Sequence, residues 1–257
     1  MSVIKFRHYS QVLSTPMECN IVLPDTISAD KLKIVWLCHG GSGHENDWLY
    51  HVDLCSLANE YNVAFVTVNA QDSCFVDMAY GLNYGTYLAK ELPEIIFKTF
   101  RQLSSAREDN YISGLSNGGY GCFYLGLLYP ENYAAIGAFS AGDKADATPK
   151  PFPAGQMNPR IRMFGQEDIH NTNYSIQHLA RALAKTDKHK PRIYHACGGK
   201  DPWLDLNLNM KECIETINKE ADTSVYSYEY HQIDEFGHEW AFWSIELNNF
   251  LQKCVCN

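Results

Sequence analysis

A mostly parallel β-sheet covered by helices is the fold that this 257-residue sequence predicts. Three observations predict it. Short apolar runs alternate with longer amphipathic ones. A glycine-rich turn, His39-Gly40-Gly41-Ser42-Gly43, follows an early apolar run. Finally, Gly114-Leu115-Ser116-Asn117-Gly118 stands between a β-type run and a helical one. The length suits one large hydrophobic core, and no linker, internal repeat or low-complexity tract divides it. One domain over 1–257 is therefore expected.

Taken in order, residues 17–23 predict an early strand that Pro24 ends, and 33–38 (KIVWLC) a buried strand running into the glycine-rich turn. A helix over about 52–61 leads to the strand 63–68 (VAFVTV). Residues 84–100 carry helical spacing, with Pro93 either kinking the helix or marking its true first turn. A short strand at 110–113, a helix from about 118 to 128 and a strand at 134–139 follow. The rhythm then breaks. Residues 142–173 are rich in Pro, Gly, Asp and Asn, with Pro149, Pro151 and Pro153 close together. That is long for a plain connection, so an insertion over one edge of the sheet, of the lid kind, is expected. Alternation resumes with a helix at 176–184, a strand at 192–196, a helix at about 206–217, a strand at 225–230 and a final helix over 239–251.

Composition narrows the function. The net charge is -9 and no Lys/Arg run of useful length exists, which argues against nucleic acid as a partner. The same acidity disfavours anionic membrane surfaces, and no apolar stretch approaches a membrane span. Residues 1–8 hold no signal-peptide core. The nine cysteines are scattered and odd in number, which predicts free thiols in a reducing compartment, the cytoplasm. His39, His44 and His51 lack a paired-ligand motif, so neither metal nor organic cofactor is expected.

The chemistry gathers on the Gly114–Gly118 motif. A serine hydroxyl is a poor nucleophile and must stand clear of the sheet where a base can reach it. A sharp strand-to-helix turn achieves this, at the expense of backbone strain at Ser116 and of crowding that Gly114 and Gly118 relieve. Acyl transfer also needs two donors for the tetrahedral oxyanion. The backbone N–H of Asn117 is one; the loop after 33–38 supplies the other, with Gly41 preferred and Ser42 its competitor. His39 is read as a stabiliser of that loop. The order serine, carboxylate, histidine of an α/β-hydrolase then selects late residues. His238, in a loop entering the final helix, is preferred as base over His231, which continues the strand alternation of Tyr226, Tyr228 and Tyr230. Asp201, in the loop after 192–196, is preferred as the carboxylate that holds the imidazole tautomer. Asp205 looks like a helix cap or first-turn acid, and Asp234 would need a tight fold-back.

At these residues the chain resembles the bacterial tributyrin esterase family, relatives of esterase D and the S-formylglutathione hydrolases. The resemblance spans nearly the whole chain. It rests on HGGSG with Asn46 and Trp48, on Tyr80-Gly81-Leu82-Asn83-Tyr84 and Glu91-Leu92-Pro93, and most specifically on Gly114–Gly121 and His238-Glu239-Trp240 with Trp243. Tyr9–Leu13 and Cys197-Gly198-Gly199-Lys200-Asp201 with Asn207 have counterparts too. The resemblance implies an α/β-hydrolase fold and an intracellular serine carboxylesterase acting on small acetyl to butyryl esters, with Ser116, Asp201 and His238 as triad. It also implies association into dimers or tetramers. Thioesterase chemistry of the S-formylglutathione hydrolase kind, and esterase action on acetylated sugars or hydroxycinnamate esters, use the same machinery. Asn117 departs from the family's usual methionine, and 142–173 is similar mainly around Phe164-Gly165.

Overall fold

The computed structural model describes residues 2–26, 30–148, 153, 157–221 and 224–256. Among these described residues eight strands form one sheet: β1 (Ser2–Ser10), β2 (Thr15–Leu23), β3 (Lys33–Cys38), β4 (Val63–Val68), β5 (Asn110–Leu115), β6 (Ala135–Phe139), β7 (Arg192–Gly198) and β8 (Tyr228–Ile233). Their spatial order is β1-β2-β4-β3-β5-β6-β7-β8. β1 and β2 pair antiparallel, as do β2 and β4; from β4 onward every pairing is parallel. This is the α/β-hydrolase fold.

The helices are α1 (Asp47–His51), α2 (Leu54–Tyr61), α3 (Tyr84–Thr86), α4 (Leu92–Thr99), α5 (Asn117–Leu128), α6 (Pro159–Phe164), α7 (Ile176–Ala184), α8 (Leu204–Glu220) and α9 (Trp240–Phe250). They cover both faces of the sheet. Successive residues of a strand face opposite ways, so Ile34 and Trp36 join one half of the core while Val35 and Leu37 join the other. α5 is buried almost all round, which explains a helix with no polar face.

Several boundaries differ from the sequence expectation, each for a local reason. β1 is absent from the strands expected above. Its inward side chains Ile4 and Phe6 alternate with outward Lys5 and Arg7, which meet Glu18 across the hairpin. The helix expected over 52–61 is α2, which starts two residues later because the Asp53 carboxylate accepts from Ser56 N–H and caps it, while the short α1 before it was not expected. β8 begins at Tyr228, three residues late, since Asn218 Oδ1 takes the N–H groups of Val225 and Tyr226. Pro93 stands in the first turn of α4, the second of the two roles expected for it, inside a helical stretch that runs from 84 to 99. A π-turn at Tyr87–Glu91 precedes α4, and the Ala89 carbonyl that a residue 93 N–H would have met accepts instead from Asn132 Nδ2 at 2.7 Å.

Part of the expected 142–173 insertion, residues 149–152 and 154–156, lies outside the described residues. The described remainder is anchored at both ends. Asp143, fully buried, accepts from Ser175 Oγ and from Gln177 N–H at the start of α7. α6 lends its Arg162 and Met163 carbonyls to the N–H groups of Tyr80 and Ala79.

Register places the site. Cys38 stands beside Gly114, Leu115 beside Phe139, and Phe139 beside Ala196. The loops leaving the carboxyl ends of β3, β5, β6, β7 and β8 therefore open on one edge of the sheet, where ligands of open α/β sheets bind.

Candidate active site

Ser116 occupies the turn from β5 to α5 with φ 55° and ψ -119°. A serine in this region is strained, and the turn is held by Ser116 N–H donating to the Phe139 carbonyl at 2.8 Å. The close approach of strand and helix requires its glycines. A Cβ on Gly118 would lie 2.4 Å from the His39 carbonyl oxygen, and one on Gly114 2.8 Å from that of Cys38.

The turn after β3 lies against this elbow. A Cβ on Gly40 would fall 2.8 Å from Leu115, and one on Gly41 2.8 Å from Asn117 Nδ2. His39, wholly buried, fixes the turn: Nδ1–H donates to the Gly40 carbonyl at 2.7 Å and Nε2 accepts from Ala70 N–H at 3.1 Å. Burial pushes its pKa down, in keeping with a neutral ring that both donates and accepts. The N–H of Ser42 is already committed to the Asp72 carboxylate at 2.6 Å. Gly41 and Asn117 are thus brought together, and Ser42 faces away to Asp72. Asp72 in turn lines an open cleft of about 200 Å³ with Met78, Tyr80, Leu82 and Arg162.

On the other side, His238 Nδ1 lies 2.8 Å from Asp201 Oδ2. Asp201 Oδ1 accepts from Trp203 N–H at 2.9 Å. Burial acts to raise the Asp201 carboxyl, but hydrogen bonds from His238, Trp203 N–H and Ser140 outweigh it and hold the group below its usual range. The imidazole is restrained by two indoles edge-on, Trp203 at 4.6 Å and Trp243 at 4.9 Å between ring centroids.

The competing residues stand elsewhere. Asp205 lies in the first turn of α8, and Asp234 accepts from Gln232 Nε2. His231 is 2.8 Å from the buried Glu246, which also accepts from Tyr194 Oη. His44 bonds Asn46 N–H, and His51 stacks on Trp240. Among the described residues no group of three or more His, Cys, Asp or Glu could hold a metal. All nine cysteines are free.

Two supports escaped the sequence reading. Ser140, at the end of β6 with φ 51°, accepts from Trp243 Nε1 at 3.0 Å and stands against Asp201. Behind the acid loop, His195 Nε2 meets Asn207 Oδ1 and its Nδ1 meets Tyr228 Oη, both at 3.0 Å, while Asn207 Nδ2 donates to the Trp203 carbonyl. Nothing local marks Ser140. His195 had a signal, a histidine inside an apolar strand.

His195 carries a stability prediction. Burial pushes its pKa from the usual 6.5 down to about 4, so the folded protein keeps it neutral. Above pH 6.5 both folded and unfolded states hold a neutral ring, and its contribution is fully present. As pH falls from 6.5 towards 4 the unfolded chain takes a proton that the folded chain declines, and about 3 kcal/mol is lost. Urea unfolding at pH 7.5 and 4.5 measures the loss, and His195→Gln should shrink it. A variant with the native pH slope would assign the loss to other groups.

The comparisons with known proteins agree with this architecture. The Esterase family model, described as "Putative esterase", matches residues 10–254. An acetyl esterase of Caldicellulosiruptor saccharolyticus is 28% identical over 268 residues, covering 98% of this chain and 97% of the relative. An S-formylglutathione hydrolase of Paracoccus denitrificans is 27% identical over 157 residues, 52% of this chain and 55% of the relative. The fluorophosphonate-binding serine hydrolase FphF of Staphylococcus aureus superposes with a TM-score of 0.85 at 24% identity, over 100% of this chain and 99% of that one. No helix among the described residues is long and apolar enough to cross a membrane. The chain belongs to the Esterase family and is a carboxylic ester hydrolase.

Proposed function

We propose that the protein hydrolyses short-acyl esters, acetyl to butyryl, with Ser116 as nucleophile, His238 as general base and Asp201 as the carboxylate that orients it. The observation that carries this reading is the 2.8 Å contact between His238 Nδ1 and the buried Asp201, on the same sheet edge as the strained Ser116. His238 Nε2 takes the Ser116 proton as Oγ bonds to the ester carbonyl carbon. The carbonyl electron pair moves to oxygen, which the N–H groups of Gly41 and Asn117 receive. His238 then gives its proton to the leaving alcohol as the C–O bond breaks. Water, deprotonated by the same imidazole, cleaves the acyl-enzyme and restores Ser116. Groups of this chain and water suffice for every step.

The acetyl esterase relative, alike over nearly its whole length, supports the short acyl group. The second reading is a thioesterase, favoured by the S-formylglutathione hydrolase that resembles about half the chain. The fully free cysteines suit the reducing cytoplasm, and we carry a homo-oligomer and a single domain over 1–257 as parts of the same reading. A p-nitrophenyl ester series from acetate to octanoate tests the acyl class. We expect kcat/KM to be highest at two to four carbons and to fall about 10-fold or more by octanoate, as an overlong chain outgrows a small pocket. A maximum at octanoate would reject the short-acyl reading. Faster turnover of S-formylglutathione than of any ester would favour the thioesterase.

A further inference from the structure

The residue after Ser116 does more in this chain than offer a backbone N–H. Lys144 Nζ donates to Asn117 Oδ1 at 2.7 Å. A charged donor settles which end of the amide is which: the oxygen faces Lys144, so Nδ2 faces the other way. There it lies 2.8 Å from where a Cβ on Gly41 would be. The amide therefore lies between the Lys144 ammonium and the turn that carries Gly41.

The lysine is placed rather than loose. Its carbonyl accepts from Arg160 Nη1 at 2.8 Å, and its neighbours Asp143 and Ala145 are buried. The Asp143 carboxylate ties the segment to α7 and to Ala145 N–H. The ammonium lies 5.7 Å from the centroid of the Tyr120 ring, over its face. Among the described residues no carboxylate forms an ion pair with it, so its charge is not cancelled locally. In a chain of net charge -9, an unpaired cation half-buried at this point is unusual placement for a solvated surface lysine.

We infer that Lys144 is a positioning residue for the oxyanion site: it fixes the Asn117 amide against Gly41 and sets a positive charge one hydrogen bond behind it. This inference rests on the esterase reading above. A negative charge develops on the carbonyl oxygen only as Ser116 attacks. A fixed cation and an aligned amide dipole therefore favour the transition state more than the neutral ester, and kcat bears the effect rather than KM.

The test uses the full-length protein and p-nitrophenyl acetate. Lys144→Met is expected to lower kcat about 10-fold with KM changed less than about 2-fold, a fraction of the loss from deleting a direct oxyanion donor. Lys144→Arg should recover most of it. A trifluoromethyl ketone supplies a second readout. Ser116 Oγ adds to its carbonyl carbon, the proton passes to His238, and the electron pair rests on oxygen as an alkoxide. Its affinity should fall in parallel with kcat. In an Asn117→Ala background Lys144→Met should have almost no further effect, because the path through the amide is gone. Lys144→Gln repeats the comparison if the methionine variant folds poorly. Unchanged kcat, a loss confined to KM, or an undiminished loss in the Asn117→Ala background would each overturn the role given to Lys144. The reading beneath it falls separately, if Ser116→Ala retains turnover.

Discussion

Replacing Ser116 by alanine is expected to lower kcat on p-nitrophenyl acetate by about 10^4-fold or more while leaving the fold intact. The exchange removes one oxygen and nothing else that the structure uses. Ser116 makes no side-chain capping bond to α5, so its hydroxyl contributes little to the helix. Its Cβ already sits at φ 55°, and alanine inherits that conformation without added steric conflict. The residual rate would come from the oxyanion donors and from binding alone. A fluorophosphonate probe gives a second measure, labelling the native protein stoichiometrically and the variant not at all. Turnover or labelling that survives the exchange would remove Ser116 from the mechanism. A large loss of melting temperature would instead show the hydroxyl to be structural.

How far the sequence alone reaches can be judged at particular residues. The parallel core from β3 to β7 was legible because its strands are short and mostly apolar, β3, β4 and β6 almost without a break, the pattern of a strand buried on both faces. β1 also had a signal, Ile4 and Phe6 alternating with Lys5 and Arg7, but an edge strand with one polar face is easily taken for a leader to the first buried strand. Gly114–Gly118 was legible because a local backbone demand, the elbow, leaves a local mark. The contact between Asp201 and His238 was recoverable from chain order and loop position. Separating them from their competitors required only that Asp205 read as a first-turn acid and His231 as a strand residue. Ser140 and Lys144 were not recoverable. Each acts on a residue far away in sequence, Trp243 and Asn117, and sheet register and loop anchoring, not neighbouring residues, bring those pairs together. The same holds for the Ser42 N–H, which Asp72, 30 positions away, occupies.

The exchange Asp201→Asn has an expected effect nearly as large, and it isolates what the carboxylate does. In the native protein both carboxylate oxygens are used: Oδ1 accepts from Trp203 N–H and Oδ2 faces His238 Nδ1. An asparagine of the same shape can keep only one of these as an acceptor. The Trp203 N–H is a fixed donor on the acid loop, held from behind by the Asn207 amide on the Trp203 carbonyl, so the asparagine oxygen must stay with it. The asparagine NH2 then faces His238 and donates to Nδ1. That obliges the imidazole to carry its proton on Nε2, the nitrogen that should receive the Ser116 proton. Geometry is preserved and the base is disarmed, with kcat lower by about 10^4-fold at neutral pH. The loss should ease as pH rises and hydroxide removes the serine proton without help from the imidazole. Asp201→Ala would lack the reversed donor and still lack the acceptor, so it separates a wrong tautomer from a missing partner. Near-native kcat in the Asp201→Asn variant would leave His238 oriented by its two indoles alone, and Asp201 would then be a structural acid buried beside the site.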